Sequence, residues 1–179
     1  MSKKILIIAH DNFEDIELVA TRDVLLRKGV KVDLISMTNK INIVSTYGLR
    51  VKADGIIKNV LPKLNEYDAL FIPGGRGLKD IDETKEIDEI INHFSSNKKI
   101  IGTLCAAPII LAKRGKLENI NATCYPEDFF KNILIEGKAI ISDEEFVIDE
   151  NIITGRDMKS SIEFAKQLSN QILKNENTK

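Results

Sequence analysis

Cys105 lies in the run Ile100-Ile101-Gly102-Thr103-Leu104-Cys105-Ala106-Ala107-Pro108. A continuous apolar stretch of strand length there meets two small residues and a proline suited to a first helical turn. That is the layout of a nucleophile elbow, in which a tight strand-to-helix turn exposes one side chain at the edge of a sheet. A free thiol titrates near pH 8.5, and the N–H donors of a following helix would favour its thiolate. The chemistry in view is addition of sulfur to an electrophile, or oxidation of the sulfur itself. The plain alternative is a buried cysteine packed as a small hydrophobe.

Gly74 and Gly75 follow another buried run, Asp68 to Ile72, and then Pro73. Consecutive glycines let backbone N–H groups approach a bound atom closely, so they form either an oxyanion hole or an ordinary tight turn. Gly74-Gly75-Arg76-Gly77 fits neither the dinucleotide nor the P-loop pattern. Glu14, Asp15 and Glu17 crowd the start of the first expected helix, where carboxylates suit the helix dipole. Glu17 can also point back over the sheet, and a carboxyl desolvated beside a thiolate would keep its proton and serve as acid or base. His10 ends the first strand, His93 sits in a polar stretch of a helix, and neither adjoins Cys105 in the chain. Cys124-Tyr125-Pro126 ends a further short run and brings either a second thiol and a phenol to the site, or a thiol to the core.

The elements that must position these groups follow from period. Ile5 to Ala9, Val30 to Met37, Asp68 to Ile72 and Lys99 to Leu104 read as strands, with Ile41 to Val51 a pair of short strands about Tyr47-Gly48. Glu14 to Lys28, Thr84 to Ser96, Ala106 to Arg114 and Met158 to Leu173 read as helices, with Gly29 and Gly115 closing two of them. Ile16, Val19, Ala20, Val24 and Leu25 come close to helical spacing in the first, and Ile162, Phe164, Ala165, Leu168 and Ile172 are the expected inner face of the last. Ala122 to Tyr125 is a further short strand, and Lys138 to Thr154 reads as short strands around two acidic turns. Apolar strands separated by helices predict a mostly parallel sheet covered on both faces, a three-layer α/β sandwich. Ligands bind such sheets beyond the carboxyl ends of the strands, which is where Glu17, Gly74-Gly75 and Cys105 fall.

Composition narrows the function classes. The chain has 179 residues, read as one domain over 1–174 with a disordered tail at 175–179. Its 26 Lys+Arg nearly cancel 27 Asp+Glu, which gives no electrostatic footprint for nucleic acid. Two cysteines and two histidines supply neither a disulfide framework nor a structural zinc set. The apolar stretch after Lys3-Lys4 is too short for a signal peptide, and no window suits a membrane span. A reducing cytoplasmic setting is therefore the expectation.

With these residues in place, the chain resembles the ThiJ/PfpI superfamily, and most closely its parkinsonism-associated deglycase branch, the DJ-one proteins. Glu14-Asp15-Ile16-Glu17, Asp23 to Gly29, Asp68 to Gly75, Ile101 to Pro108, Ala122 to Pro126 and Thr154-Gly155-Arg156 carry the likeness over nearly the whole chain. The resemblance implies a flavodoxin-like sandwich, a homodimer, and a cofactor-free, metal-free reaction at Cys105. It also implies that the protonated Glu17 carboxyl bonds the thiolate or its sulfinate, and that Gly74, Gly75 and the Ala106 N–H stabilise an anion. Arg156 matches an arginine near the pocket or, more simply, a salt bridge at the start of the last helix. Glu14, Tyr125 and Cys124 complete the candidate pocket. Many relatives have a histidine where this chain has Tyr125, and a phenol titrating near pH 10 is a poor general base. The implied activity is of glyoxalase/deglycase type on small α-oxoaldehydes or their early glycation adducts. A redox sensor or stress-response chaperone acting through Cys105 oxidation, and a cysteine peptidase, are the alternatives.

Overall fold

The computed structural model describes residues 2–174; the tail at 175–179 lies outside the described residues. In chain order come β1 (Lys4–Ala9), α1 (Asp15–Arg27), β2 (Lys31–Ser36), the hairpin β3 (Asn42–Val44) and β4 (Arg50–Lys52), β5 (Gly55–Ile56) and α2 (Ile57–Val60). After a 3₁₀ segment at Leu61–Glu66 follow β6 (Ala69–Ile72), α3 (Leu78–Glu83), α4 (Glu86–Ser96), β7 (Ile100–Leu104) and α5 (Pro108–Ala112). The chain then forms β8 (Asn121–Ala122), α6 (Asp128–Glu136), β9 (Ile140–Ile141), β10 (Phe146–Asp149), β11 (Ile152–Gly155), a 3₁₀ turn at Met158–Ser160 and α7 (Ser161–Lys174).

Seven strands form one sheet in the order β10-β11-β7-β6-β1-β2-β5. All pairs are parallel except β10 with β11, which an antiparallel hairpin closes at one edge. Successive strand residues face opposite sides, and β1 shows the consequence. Ile5, Ile7 and Ala9 enter one core with Phe71, Leu18, Leu25 and Phe164 beneath α1 and α7. Leu6 and Ile8 enter the other, beneath α4 and α5, with Ile90, Ile91, Phe94 and Ile110. Two cores, one on each face, make the expected three-layer, flavodoxin-like sandwich. From β1 the chain winds toward β2 and β5, then returns past β1 to β6. The strand order therefore reverses between β1 and β6, and the crevice at that switch point opens at their carboxyl ends.

Two helices differ from the expected faces. In α1 the buried residues are Glu17, Leu18, Thr21 and Leu25, whereas Ile16 is 47% and Val19 45% exposed. Two polar side chains take inner positions there and two aliphatic ones the outer face. In α7, Ile162 is 56% exposed, and Ser161, Phe164, Ala165, Leu168 and Ile172 form the inner face. No helix among the described residues is long and apolar enough to cross a membrane.

Candidate functional site

Three strand ends meet at the switch point. β7 ends at Leu104, and Cys105 follows with φ +62°, in the left-handed region that costs a residue with a Cβ about 1–3 kcal/mol. The surrounding chain holds it there. The Cys105 N–H donates to the Gly155 carbonyl at 2.9 Å, and its carbonyl accepts from the Tyr125 N–H at 2.8 Å. The elbow is thus clamped between the end of β11 and the loop after β8. Pro108 begins α5 at the position where its missing N–H is harmless.

Glu17 comes from the first turn of α1, directly over the carboxyl end of β1, and is 0% exposed. Its Oε2 accepts from the Gly74 N–H at 2.6 Å, and its Oε1 has no nitrogen or oxygen partner among the described residues. A carboxylate in that state is unfavourable, and desolvation pushes the Glu17 pKa up to about 7 against the opposing Gly74 and Cys105 hydrogen bonds. Gly74 is the contact point of the three segments. A Cβ there would stand 2.8 Å from Glu17 Oε2, 3.0 Å from the Cys105 Cβ and 3.1 Å from the Leu104 carbonyl oxygen. Glu14 is the N-cap of α1, accepting from the Glu17 N–H at 2.7 Å, and burial raises its pKa as well.

The thiol itself is pushed up, first by burial and then by the charge and hydrogen bond of Glu17, with only the Ala106 N–H acting the other way. This corrects the expectation that the following helix lowers it. α5 has five residues and starts three positions beyond Cys105, so its dipole is short and remote, whereas the carboxyl is in contact. Thiol and carboxyl therefore titrate as a pair, in which one proton favours a single negative charge shared between sulfur and carboxyl. Because the thiol is pushed up further than the carboxyl, that proton rests on sulfur, and the Glu17 carboxylate stands beside it to take the proton as sulfur attacks.

The pair opens into a cleft of about 630 Å³. Phe13 and Gly75 form a bridge at its rim, and Gly75 takes φ +115° with its Cα packed so closely that a Cβ would lie 2.5 Å from the Asn12 oxygen and from the Glu14 nitrogen. Only glycine accepts that conformation. The Gly75 and Ala106 N–H groups have no oxygen acceptor among the described residues, and both residues line the cleft beside Cys105. An anion formed at Cys105 would find them there.

A model of the DJ-1/PfpI family matches residues 3–171. The chain belongs to the DJ-1/PfpI family. A protein of Pyrococcus abyssi described as a deglycase is 31% identical over 153 residues, 86% of this chain and 89% of that one. The glutathione-independent glyoxalase DJR-1.2 of Caenorhabditis elegans is 28% identical over 164 residues, 92% of this chain and 85% of that one. The crystal structure of Drosophila melanogaster DJ-1beta matches with a TM-score of 0.88 at 27% identity, covering 96% of this chain and 91% of that one.

Within this DJ-1/PfpI chain the structure gathers Cys105, Glu17, Glu14, Gly75, Ala106 and Tyr125 around one cleft. Three expected members stand apart. Cys124 is 3% exposed and packs in the core beneath α5, because the strand read over Ala122 to Tyr125 stops at Ala122 and Cys124 turns inward. Both cysteines are free thiols. Arg156 does not line the cleft; it pairs with Asp157 at 3.2 Å and donates to the Asp143 carbonyl at 2.8 Å, holding the start of the last helix as in its simpler reading. Gly74 touches the site, but its N–H is spent on Glu17 and is not free for an oxyanion. His10 lies 3.5 Å from Asp80 and His93 3.3 Å from the Lys99 amine, so no histidine lines the cleft. Sequence reasoning missed Thr46, Tyr47, Arg76, Glu127, Phe130 and Met158 in the lining. The Tyr47-Gly48 turn signalled a hairpin tip, yet nothing local says that the tip folds back onto Asp15 through the Ser45 hydroxyl.

Proposed function

We propose that the chain is a cofactor-free, cysteine-dependent enzyme of glyoxalase/deglycase type, acting on small α-oxoaldehydes or their early glycation adducts. The observation that carries this reading is the fully buried Glu17 carboxyl in contact with a strained, cleft-facing Cys105. Cys105 sulfur adds to the aldehyde carbon, and the carbonyl oxygen takes a proton as the hemithioacetal forms. Before that proton arrives, the oxyanion is held by the Gly75 and Ala106 N–H groups. Glu17 then removes the hydrogen on the former aldehyde carbon as a proton and returns it to the neighbouring carbon, while the hydroxyl proton passes from the former aldehyde oxygen to the neighbouring ketone oxygen at the enediol stage. The product is a thioester of the 2-hydroxy acid, with one carbon oxidised, the other reduced and no external electron acceptor. Water cleaves the C–S bond, releasing the hydroxy acid and restoring the thiol.

Tyr125 lines the cleft with its ring edge-on to Phe130, centroids 5.8 Å apart. Its phenol can donate to a substrate oxygen, which leaves proton removal to Glu17. A peptidase reading lacks support, since it needs a histidine near Cys105. The test of the proposal is lactate formation from methylglyoxal in buffer without glutathione, metal or nicotinamide. Lactate is expected, and its absence under conditions where Cys105 remains reduced would contradict the reading.

A cytoplasmic homodimer is part of the same proposal. Its support in this molecule is the outer face of α1, where Ile16 and Val19 adjoin Leu49 in one shallow apolar depression. Isolated exposed aliphatics are ordinary, but a contiguous set suits a partner. Val19→Arg is expected to convert a dimer to a monomer in sedimentation velocity without changing the far-ultraviolet circular dichroism. An unchanged dimer would place the interface elsewhere.

A further inference from the structure

Arg76 is the one cationic side chain lining the Cys105 cleft among the described residues, and the reaction proposed above gives it no task. Its backbone is fixed by the glycines on either side. Gly75 presses against residues 12–14, and Gly77 donates to the Asn12 carbonyl at 3.1 Å, with a Cβ there falling 1.9 Å from the Asp11 oxygen. The chain on both sides of Arg76 is therefore pinned inward, and its own side chain is exposed. Arg27, Arg114 and Arg156 are engaged with aspartates, whereas Arg76, like Arg22 and Arg50 outside the cleft, has no carboxylate within 4.0 Å and makes no side-chain hydrogen bond among the described residues. An arginine fork without an internal partner, beside the unpaired Gly75 N–H, is a built-in acceptor for a planar anion.

The cleft is also larger than a three-carbon aldehyde requires. At about 630 Å³ it falls in the range that encloses drug-sized ligands. A substrate whose aldehyde reaches Cys105 has space for a second group toward the rim, and Arg76 sets the charge of that group. Glu14, Glu17 and Glu127 also line the cleft, so a second negative charge on the ligand would meet more repulsion than one arginine offsets. A carboxylate fits that condition, and a phosphate dianion does not.

We propose that Arg76 is a specificity-determining residue that binds a carboxylate on the substrate, so that the preferred α-oxoaldehydes carry a terminal carboxyl group. The turnover part of this inference rests on the α-oxoaldehyde reaction, and the binding part does not.

Two matched aldehydes test it: 4,5-dioxopentanoate, which bears the carboxylate, and 2-oxopentanal, which has the same chain length and no charge. Native protein should favour the carboxylate by about tenfold in kcat/KM at low ionic strength, mostly through KM. In Arg76→Gln the ratio should collapse to about one, and Arg76→Lys should keep part of it. Equal efficiency in the native protein, or a ratio unmoved by Arg76→Gln, would overturn the assignment while leaving the reaction intact. The second arm needs no turnover. Protection of Cys105 from iodoacetamide is compared for the corresponding products, 2-hydroxyglutarate and 2-hydroxypentanoate, with inorganic phosphate as a third ligand. Stronger protection by 2-hydroxyglutarate that disappears in Arg76→Gln supports the site even where neither aldehyde reacts, which would count against the reaction alone. Protection strongest with phosphate, or equal for all three, would refute a carboxylate site.

Discussion

Glu17→Gln should lower methylglyoxal turnover by about 10²- to 10⁴-fold, the usual contribution of a positioned acid or base. The amide keeps an oxygen to accept from the Gly74 N–H, so the contact that anchors the side chain survives. What disappears is the exchangeable proton and the negative charge. Because that charge helps push the Cys105 thiol up, its removal should let the thiol ionise at lower pH. Alkylation of Cys105 at neutral pH should therefore become faster while turnover becomes slower. A merely structural role would slow or preserve both, and slower alkylation would show that Glu17 acts on the thiolate chiefly as a proton donor.

The same substitution has a stability signature. Folding raises the Glu17 pKa from 4.5 to about 7, so between those values the folded chain binds a proton that the unfolded chain has released. This group's contribution is fully present below pH 4.5 and is lost as pH rises toward 7, a loss of about 3 kcal/mol. Glu17→Gln cannot lose it. Urea denaturation at pH 4.5 and at pH 8 should show the variant gaining on the native protein by roughly that amount as pH rises. A pH-independent difference would mean that Glu17 is not held in its protonated form by burial.

Gly75→Ala is the second large effect, expected to cost about 3–5 kcal/mol. The new methyl would have to occupy space 2.5 Å from the Asn12 oxygen and the Glu14 nitrogen, in a backbone conformation with φ +115°. Relief requires the segment at residues 12–14 to move away from β6, breaking the Glu14 N–H bond to the Gly74 carbonyl at 3.0 Å. Glu17 rides on that segment, so turnover should fall with stability. Gly115→Ala is the matched control, because it also has positive φ, at +66°, but nothing lies within 4 Å of its Cβ. It should cost about 1 kcal/mol from backbone strain alone. Equal costs at the two positions would show that the close approach at Gly75 contributes nothing.

The parallel sheet was legible because β1, β6 and β7 are buried on both faces and appear as unbroken apolar runs. The elbow was legible because strand, small residues and proline are contiguous around Cys105. α6 escaped notice because Asp128–Glu136 carries Phe129, Phe130, Ile133, Leu134 and Ile135 around much of its circumference, and only Leu134 is fully buried. The first turn of α1 misled in the opposite direction. Helical spacing of Ile16 and Val19 suggests a core face, yet the sheet edge needs the Glu17 carboxyl there, and the aliphatics face outward. Cys124 and Arg156 could be told from site residues only by tertiary placement. Arg76 was hidden for a related reason: its significance lies in lining the cleft without a partner, and both placement and pairing are properties of the folded chain.

The central claim is that Cys105 is the nucleophile, and lactate formation from methylglyoxal by native and Cys105→Ala proteins, matched for folded fraction, tests it most directly. The native protein should turn the aldehyde over, and the variant should lose activity by on the order of a thousandfold or more. Equal rates in the two proteins would contradict the account.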